Sequence, residues 1–230
     1  VAQALNEMKA RILALIDERT RVLAAIAHDM RTYLTRLRLR AEYIADTDQR
    51  ARAVHDLDEM SALLSDTLLL AARQSDDLQP PEPLDVAAEL IALAVERREL
   101  GEQIDLACPI SDVAIAARRT DFRRIMANLI DNGLRYGTRV SIRAGAVGSR
   151  VAVTVADDGP GVPAEALARL GEPFLRLDSS RDRETGGPGL GLAIVRALAA
   201  RDGAEVAFAN GEDGGLKVTL SFASVPTDTA

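Results

Sequence analysis

From Val1 to Arg73 the chain contains neither glycine nor proline, and soon afterwards it meets Pro80, Pro81 and Pro83. A stretch free of both breakers and rich in Ala, Leu, Arg and Glu is suited to long helices, whereas clustered prolines cannot continue one. The chain must therefore change architecture near residue 74. Leu5, Met8, Ile12 and Leu15 recur three and four apart, and a second stripe runs through Val22, Ile26, Met30, Leu34, Leu37 and Ile44. Ala45-Asp46-Thr47-Asp48 interrupts the pattern with poor helix formers and a candidate N-cap. Val54, Leu57, Met60, Leu64 and Leu68 then begin another stripe. Residues 1–73 read as a helical hairpin, the first of them as a helix entering from an upstream region. One hairpin encloses little interior, whereas two side by side enclose a core, so the expectation is a homodimer forming a four-helix bundle.

Residues 74–85, polar and proline-rich, read as a linker. Beyond them short strands and helices alternate. Val86 to Glu99, Asp121 to Leu134 and Gly191 to Ala200 read as helices. Gln103 to Ala107, Val140 to Ala144, Val151 to Ala156, Glu205 to Ala209 and Lys217 to Phe222 read as extended segments. The predicted second domain, 86–224, is an α+β sandwich with one helix-covered sheet, followed by a tail at 225–230.

A net charge of −7 with no block of basic residues argues against a general nucleic-acid surface, because phosphate backbones are held by clustered Lys and Arg. The single cysteine, Cys108, can form neither an intrachain disulfide nor a metal cluster, which fits a reducing compartment. No apolar run reaches the roughly 18 residues of a membrane-spanning helix, and no leader pattern opens the chain. The opening Val1, already inside a helical pattern, reads as a cut from a longer protein, which leaves room for a membrane segment upstream.

Three constellations in the second domain carry chemistry. Asn128 and Asn132, one helical turn apart, share a flank of an amphipathic helix; such a pair is either a solvated face or a source of neutral oxygens for a hydrated Mg²⁺. Arg135-Tyr136-Gly137 follows, with a cation and a ring at the helix end. An apolar strand delivers Asp157-Asp158-Gly159-Pro160-Gly161 into a glycine turn, where a carboxylate can accept a hydrogen bond from an adenine amino group or simply form a polar turn. Finally, Gly186-Gly187-Pro188-Gly189-Leu190-Gly191-Leu192 opens into a helix, an arrangement that presents backbone N–H groups and a positive dipole end to an anion. It lacks the Lys and hydroxyl residue of a Walker-type loop, and no strand-helix-strand repeat surrounds it as in a dinucleotide fold.

An N-x-x-x-N helix ending in R-Y-G, then D-D-G-P-G, then G-x-G-L-G-L-A-I-V, in this order, resembles the Bergerat-type ATP-binding domain of bacterial sensor histidine kinases. The resemblance implies ATP and Mg²⁺ as cofactors. It implies Asn132 as the Mg²⁺ ligand, Asn128 beside the phosphates and Asp158 as reader of the adenine amino group. Arg135, Tyr136, Gly159, Gly161, Gly187, Gly189, Leu190, Gly191 and Leu192 are the other expected nucleotide-binding residues. The segment between Gly161 and Gly187 is the nucleotide lid the resemblance implies, and within it Glu172-Pro173-Phe174-Leu175-Arg176 is similar to the family's phenylalanine-containing box.

On the first helix, His28 points roughly opposite the apolar stripe at about 100° per residue, with Asp29 and Thr32 near its face. A carboxylate at one imidazole nitrogen selects the tautomer whose other nitrogen is nucleophilic. Asp29 is the candidate base, and Thr32 could position a water. Ala27 to Leu37 resembles the H-box of the histidine kinase dimerisation domain. Together the resemblances imply autophosphorylation of His28 and transfer to an aspartate of a response-regulator receiver domain. They also imply phosphatase activity and a cytoplasmic location within a membrane-anchored parent. Two departures stand out. Tyr33 occupies a position where a proline is usual, which predicts a straighter helix, and Pro188 removes one N–H from the glycine loop. Both favour, as the main rival, a dimeric scaffold that binds a regulator but transfers phosphate poorly. A clamp ATPase of the same superfamily is disfavoured because it would carry a glutamate where this chain has Asn128.

Overall fold

The computed structural model describes residues 2–71, 80–109, 113–176 and 189–225, and the chain divides into two compact units, Val1–Asp76 and Asp77–Ala230. The first is a hairpin of α1 (Ala2–Ala41) and α2 (Thr47–Ala71). α1 passes Tyr33 as one helix, in keeping with the absence of proline there. At the turn, Asp46 Oδ1 accepts the N–H groups of Asp48 and Gln49 at 2.9 and 3.0 Å, satisfying donors that the start of α2 would otherwise leave orphaned.

The hairpin seam differs from the expected stripe. Among the described side chains of α1, Ala27, Leu34 and Ala41, seven residues apart, are the buried ones, with 1%, 5% and 5% of their surface exposed. Two of the three are alanines, whose small side chains let the helices approach closely. Ile26 and Met30 remain 53% and 40% exposed, and Val22 and Leu37 are also uncovered. A single chain therefore satisfies only the edge of its apolar face. An apolar cleft lined by Leu37, Ala41, Ile44, Ala53 and Leu57 opens on the same hairpin.

The second unit contains α3 (Val86–Glu99), α4 (Arg119–Tyr136), the short α5 (Ala164–Leu167) and α6 (Gly191–Arg201). Its strands are β1 (Glu82–Asp85), β2 (Ile104–Ala107), β3 (Ala114–Ala117), β4 (Val140–Val147), β5 (Arg150–Asp157), β6 (Glu205–Asn210) and β7 (Leu216–Val225). The strand order is β1-β3-β7-β5-β4-β2, with β6 also paired to β7. Alternate residues of β4, β5 and β7 face the core: Val140 and Ile142, Val151 and Val153, Val218 and Leu220. Opposite them lie Phe122, Ile125, Met126, Leu129 and Ile130 of α4, with Ile194 and Leu198 of α6. Each such side chain contributes about 1.5–3 kcal/mol on burial. The Phe122 and Phe222 rings meet across the layers with centroids 6.0 Å apart.

Two strands escaped the sequence reading. Residues 82–85, inside the expected linker, form β1 and pair with β3 in the register Glu82↔Ala117. Pro83 is tolerated because β1 is an edge strand and needs ladder donors on one side only. Asp85 ends β1 and caps α3, accepting the Ala88 N–H at 3.0 Å. Ion pairs fasten the helices: Glu89 of α3 accepts from Arg119 and Arg123 at 2.7 and 2.6 Å, and Asp121 of α4 pairs with Arg201 of α6.

Candidate functional site

Within the hairpin, Ala27 is buried while its neighbour His28 has 81% of its side chain exposed. His28 Nδ1 lies 3.4 Å from Asp29 Oδ1. With the carboxylate at Nδ1, a proton held there leaves the Nε2 lone pair available to an electrophile. The Thr32 hydroxyl donates to the His28 carbonyl at 3.2 Å, so it is parked on its own helix and must rotate to act on anything else.

In the second unit three elements converge: the C-terminal half of α4, the end of β5 and the start of α6. Asn128 Nδ2 donates to the Arg124 carbonyl at 2.8 Å, which turns Oδ1 toward α6. A β-carbon on Gly191 would stand 3.1 Å from that oxygen, so glycine lets the two helices meet there. Asn132, half-buried one turn further, makes no side-chain hydrogen bond among the described residues. Arg135 and Tyr136 are exposed at the helix end.

The two adjacent aspartates at the end of β5 have different surroundings. Asp157 is half-buried; its Oδ1 accepts the Gly159 and Leu216 N–H groups at 2.9 and 3.1 Å, and burial pushes its pKa up despite those bonds. Asp158 is exposed, and the Thr138 hydroxyl, with the Arg139 and Thr138 N–H groups, holds its pKa down at about 2. Gly161 follows with φ +74°, and the Asn210 carboxamide accepts from Val162 N at 2.9 Å and donates to Val162 O at 2.7 Å.

At the third element Gly189 has φ +73° and Leu190 is fully buried, and among the described residues no side chain caps the first turn of α6, which opens with Gly191 and Leu192. The N–H groups of that turn thus suit an anion. Phe174, exposed and with a left-handed φ of 63°, donates its N–H to the Gly189 carbonyl at 3.1 Å. Gly187 and Pro188 lie outside the described residues. Among the described residues no group of three His, Cys, Asp or Glu could hold a metal, and no helix is long and apolar enough to cross a membrane.

Residues 117–226 match the family of histidine kinase-, DNA gyrase B-, and HSP90-like ATPases. The chain is 34% identical over 227 residues to the sensor protein RstB of Escherichia coli (strain K12), covering 95% of this chain and 52% of RstB. It is 37% identical over 225 residues to the sensor histidine kinase GtrS of Pseudomonas aeruginosa, covering 96% of this chain and 45% of GtrS. Full-length ShkA, solved in complex with AMPPNP, superposes with a TM-score of 0.74 at 28% identity, over 91% of this chain and 47% of ShkA. Nearly the whole chain is thus similar to the catalytic region of sensor histidine kinases. The histidine kinase domain of the E. coli osmosensor EnvZ also matches, at a TM-score of 0.52 and 29% identity, over 68% of this chain and 96% of that one, and the order of helical hairpin then α/β ATP-binding domain is that of histidine kinases. The chain spans about half the length of the curated sensor kinases it matches.

From the sequence, Asp157 reads as part of the glycine turn without being singled out, and neither Thr138 nor Asn210, which hold that turn in the structure, is picked out at all. Thr138 and Asn210 act through hydrogen bonds to residues 20 and 48 positions away, which no local pattern carries.

Proposed function

We propose that this chain phosphorylates His28 from Mg-ATP and passes the phosphoryl group to an aspartate of a response-regulator receiver domain. The observation that carries the proposal is the exposed imidazole with Nδ1 turned to Asp29. Nε2 forms a bond to the γ-phosphorus, the bond from that phosphorus to the bridging oxygen breaks, and ADP leaves with the electron pair. Asp29 takes the Nδ1 proton as positive charge develops on the ring. Transfer to the receiver moves the phosphoryl group from nitrogen to a carboxylate oxygen. In the reverse mode, a rotated Thr32 hydroxyl orients a water for removal of phosphate from the regulator.

The residues of the second unit fit a nucleotide. The first turn of α6, with no side-chain cap among the described residues and with Gly189, Leu190, Gly191 and Leu192, suits the phosphates, with Arg135 and Tyr136 at the end of α4 and Phe174 bonded to Gly189. The half-buried Asn132 carboxamide, without a hydrogen bond among the described residues, and its neighbour Asn128 suit the metal side. Mg²⁺ held by Asn132 would neutralise charge on the phosphates. For the adenine amino group we favour Asp157 over Asp158. Asp157 is half-buried and both of its bonds fall on Oδ1, whereas both Asp158 oxygens are engaged by the turn after α4. Gly159 and Gly161 shape that pocket.

The exposed face of Val22, Ile26, Met30 and Leu37 supports a homodimer in which two hairpins (1–73) make a four-helix bundle. The catalytic domain follows the hairpin in the chain and includes β1, so it begins at Glu82 rather than at residue 86. Kinship with sensor proteins about twice as long supports a cytoplasmic position in a membrane-anchored parent.

The test is incubation with γ-labelled ATP and Mg²⁺, comparing wild type with His28→Ala. Acid-labile, alkali-stable label on the wild type and none on the variant is expected. A wild type that binds ATP but takes no label would sink the kinase reading.

A further inference from the structure

We propose that Asp158 is a positioning residue that fixes the spacing between the two walls of the nucleotide site. One wall is α4, which carries Asn128 and Asn132 and ends at Tyr136; the other is the end of β5 with Asp157 and its glycine turn. The Asp158 side chain reaches from the second wall to the first. Its Oδ1 accepts the N–H groups of Thr138 and Arg139 at 2.6 and 2.9 Å, and its Oδ2 accepts the Thr138 hydroxyl at 2.7 Å. All three donors belong to the turn that leaves α4.

Two glycines make this approach possible. A β-carbon on Gly137 would stand 2.4 Å from Asp158 Oδ1, and one on Gly159 would stand 2.7 Å from the Tyr136 carbonyl oxygen. The backbones of the two walls therefore touch, and the carboxylate bolts them together with charge-assisted bonds. Those bonds hold the carboxyl ionised down to a pKa of about 2. With both oxygens occupied, Asp158 acts on a ligand only through the geometry it sets.

This role has a signature that direct contact lacks, given the reading of the site as a nucleotide site. A molecule that spans both walls gains from having its second contact made within an already formed complex, and that gain depends on a fixed span. A molecule that touches one wall gains nothing from it. Loosening the bolt should weaken ATP and spare adenosine.

The experiment titrates Mg-ATP and, separately, adenosine into the full chain, following backbone amide chemical shifts in wild type, Asp158→Ala, Asp158→Asn and Thr138→Val. Asp158→Ala is expected to weaken Mg-ATP about tenfold or more while adenosine stays within about twofold. Asp158→Asn keeps an oxygen for both N–H donors and should recover to within about threefold of wild type, a rescue that a requirement for charge at the adenine would not allow. Thr138→Val, which removes one bond of the three, should fall between; it carries the test if Asp158→Ala does not fold. Adenosine weakened as much as ATP would overturn the proposal in favour of direct base recognition, and unchanged ATP affinity in the folded variants would overturn it outright. A wild type that binds neither ligand would remove the nucleotide reading and the proposal with it.

Discussion

Gly215 lies so close to Asp157 that a β-carbon on the glycine would stand 1.8 Å from the Asp157 carbonyl oxygen. Gly215 also has φ +74°, in the left-handed region that favours glycine. The turn before β7 thereby seats the strand end that carries the candidate adenine reader. Gly215→Ala is expected to lower stability by about 2 kcal/mol or more, because overlap with backbone cannot be relieved by a rotamer change. It should weaken nucleotide binding as well. Urea denaturation and an ATP titration check both; a variant with unchanged midpoint and affinity would show that the turn does not seat Asp157.

The pH dependence of binding should separate the two aspartates. Burial raises the Asp157 pKa above the ordinary 3.8, so an acceptor role there predicts that ATP affinity falls as pH drops through a range above that value. Asp158, held at about 2, keeps its charge throughout. Their linkage to stability has opposite signs. The contribution of Asp158 is present above 3.8 and is lost only as pH falls through about 2, whereas ionising Asp157 opposes folding as pH rises through its raised value. Affinity measured from about pH 7 down to about pH 4, in wild type and Asp157→Asn, tests the assignment. Affinity that stays flat over that range in the wild type would exclude Asp157.

Much of this architecture is legible in the residues, and the rest is hidden for identifiable reasons. The hairpin, α4 and α6 follow from apolar periodicity, and β4, β5 and β7 from alternation. β1 is masked by Pro83, and β3, Ala-Ile-Ala-Ala, offers too little contrast between its faces to read as a strand. On α1 the periodicity finds an apolar face, but which edge meets α2 depends on where small residues allow close approach, and that is Ala27 and Ala41. The choice between Asp157 and Asp158 is likewise tertiary, since it turns on Thr138 and Leu216, which reach the aspartates only after the sheet has formed.

Asn210 holds Val162 by one donated and one accepted bond, so its two amide atoms are not interchangeable. Asn210→Asp keeps the size and the acceptor but turns an oxygen toward the Val162 carbonyl. It should destabilise the domain at least as much as Asn210→Ala, each by about 1 kcal/mol, seen as a lower melting temperature. Asn210→Asp matching the wild type would mean that the donated bond contributes nothing.

Ile26 and Met30 lie uncovered on a helix whose seam to α2 is already made elsewhere. Ile26→Glu combined with Met30→Glu should weaken self-association by about a hundredfold or more, because each carboxylate would have to be buried in an apolar contact. Sedimentation velocity reports the change, and a double variant that remains dimeric would move the interface to another face of the hairpin.

β7 pairs with β5 along one edge, and along the other with β6 through residues 216–221 and with β3 through 224–225. It is also the last strand of the domain to be synthesised. While the ribosome is still making residues 216–225, β5 is a finished apolar strand with β4 on one side and nothing on the other, and β3 and β1 have no connection to the rest of the sheet. An open edge of that kind invites pairing between nascent chains. The candidate nucleotide site, whose Asp157 accepts from Leu216, is completed only once β7 is made, whereas the hairpin bearing His28 comes earlier in the chain. For some interval each new molecule has its candidate acceptor histidine and no finished site to serve it.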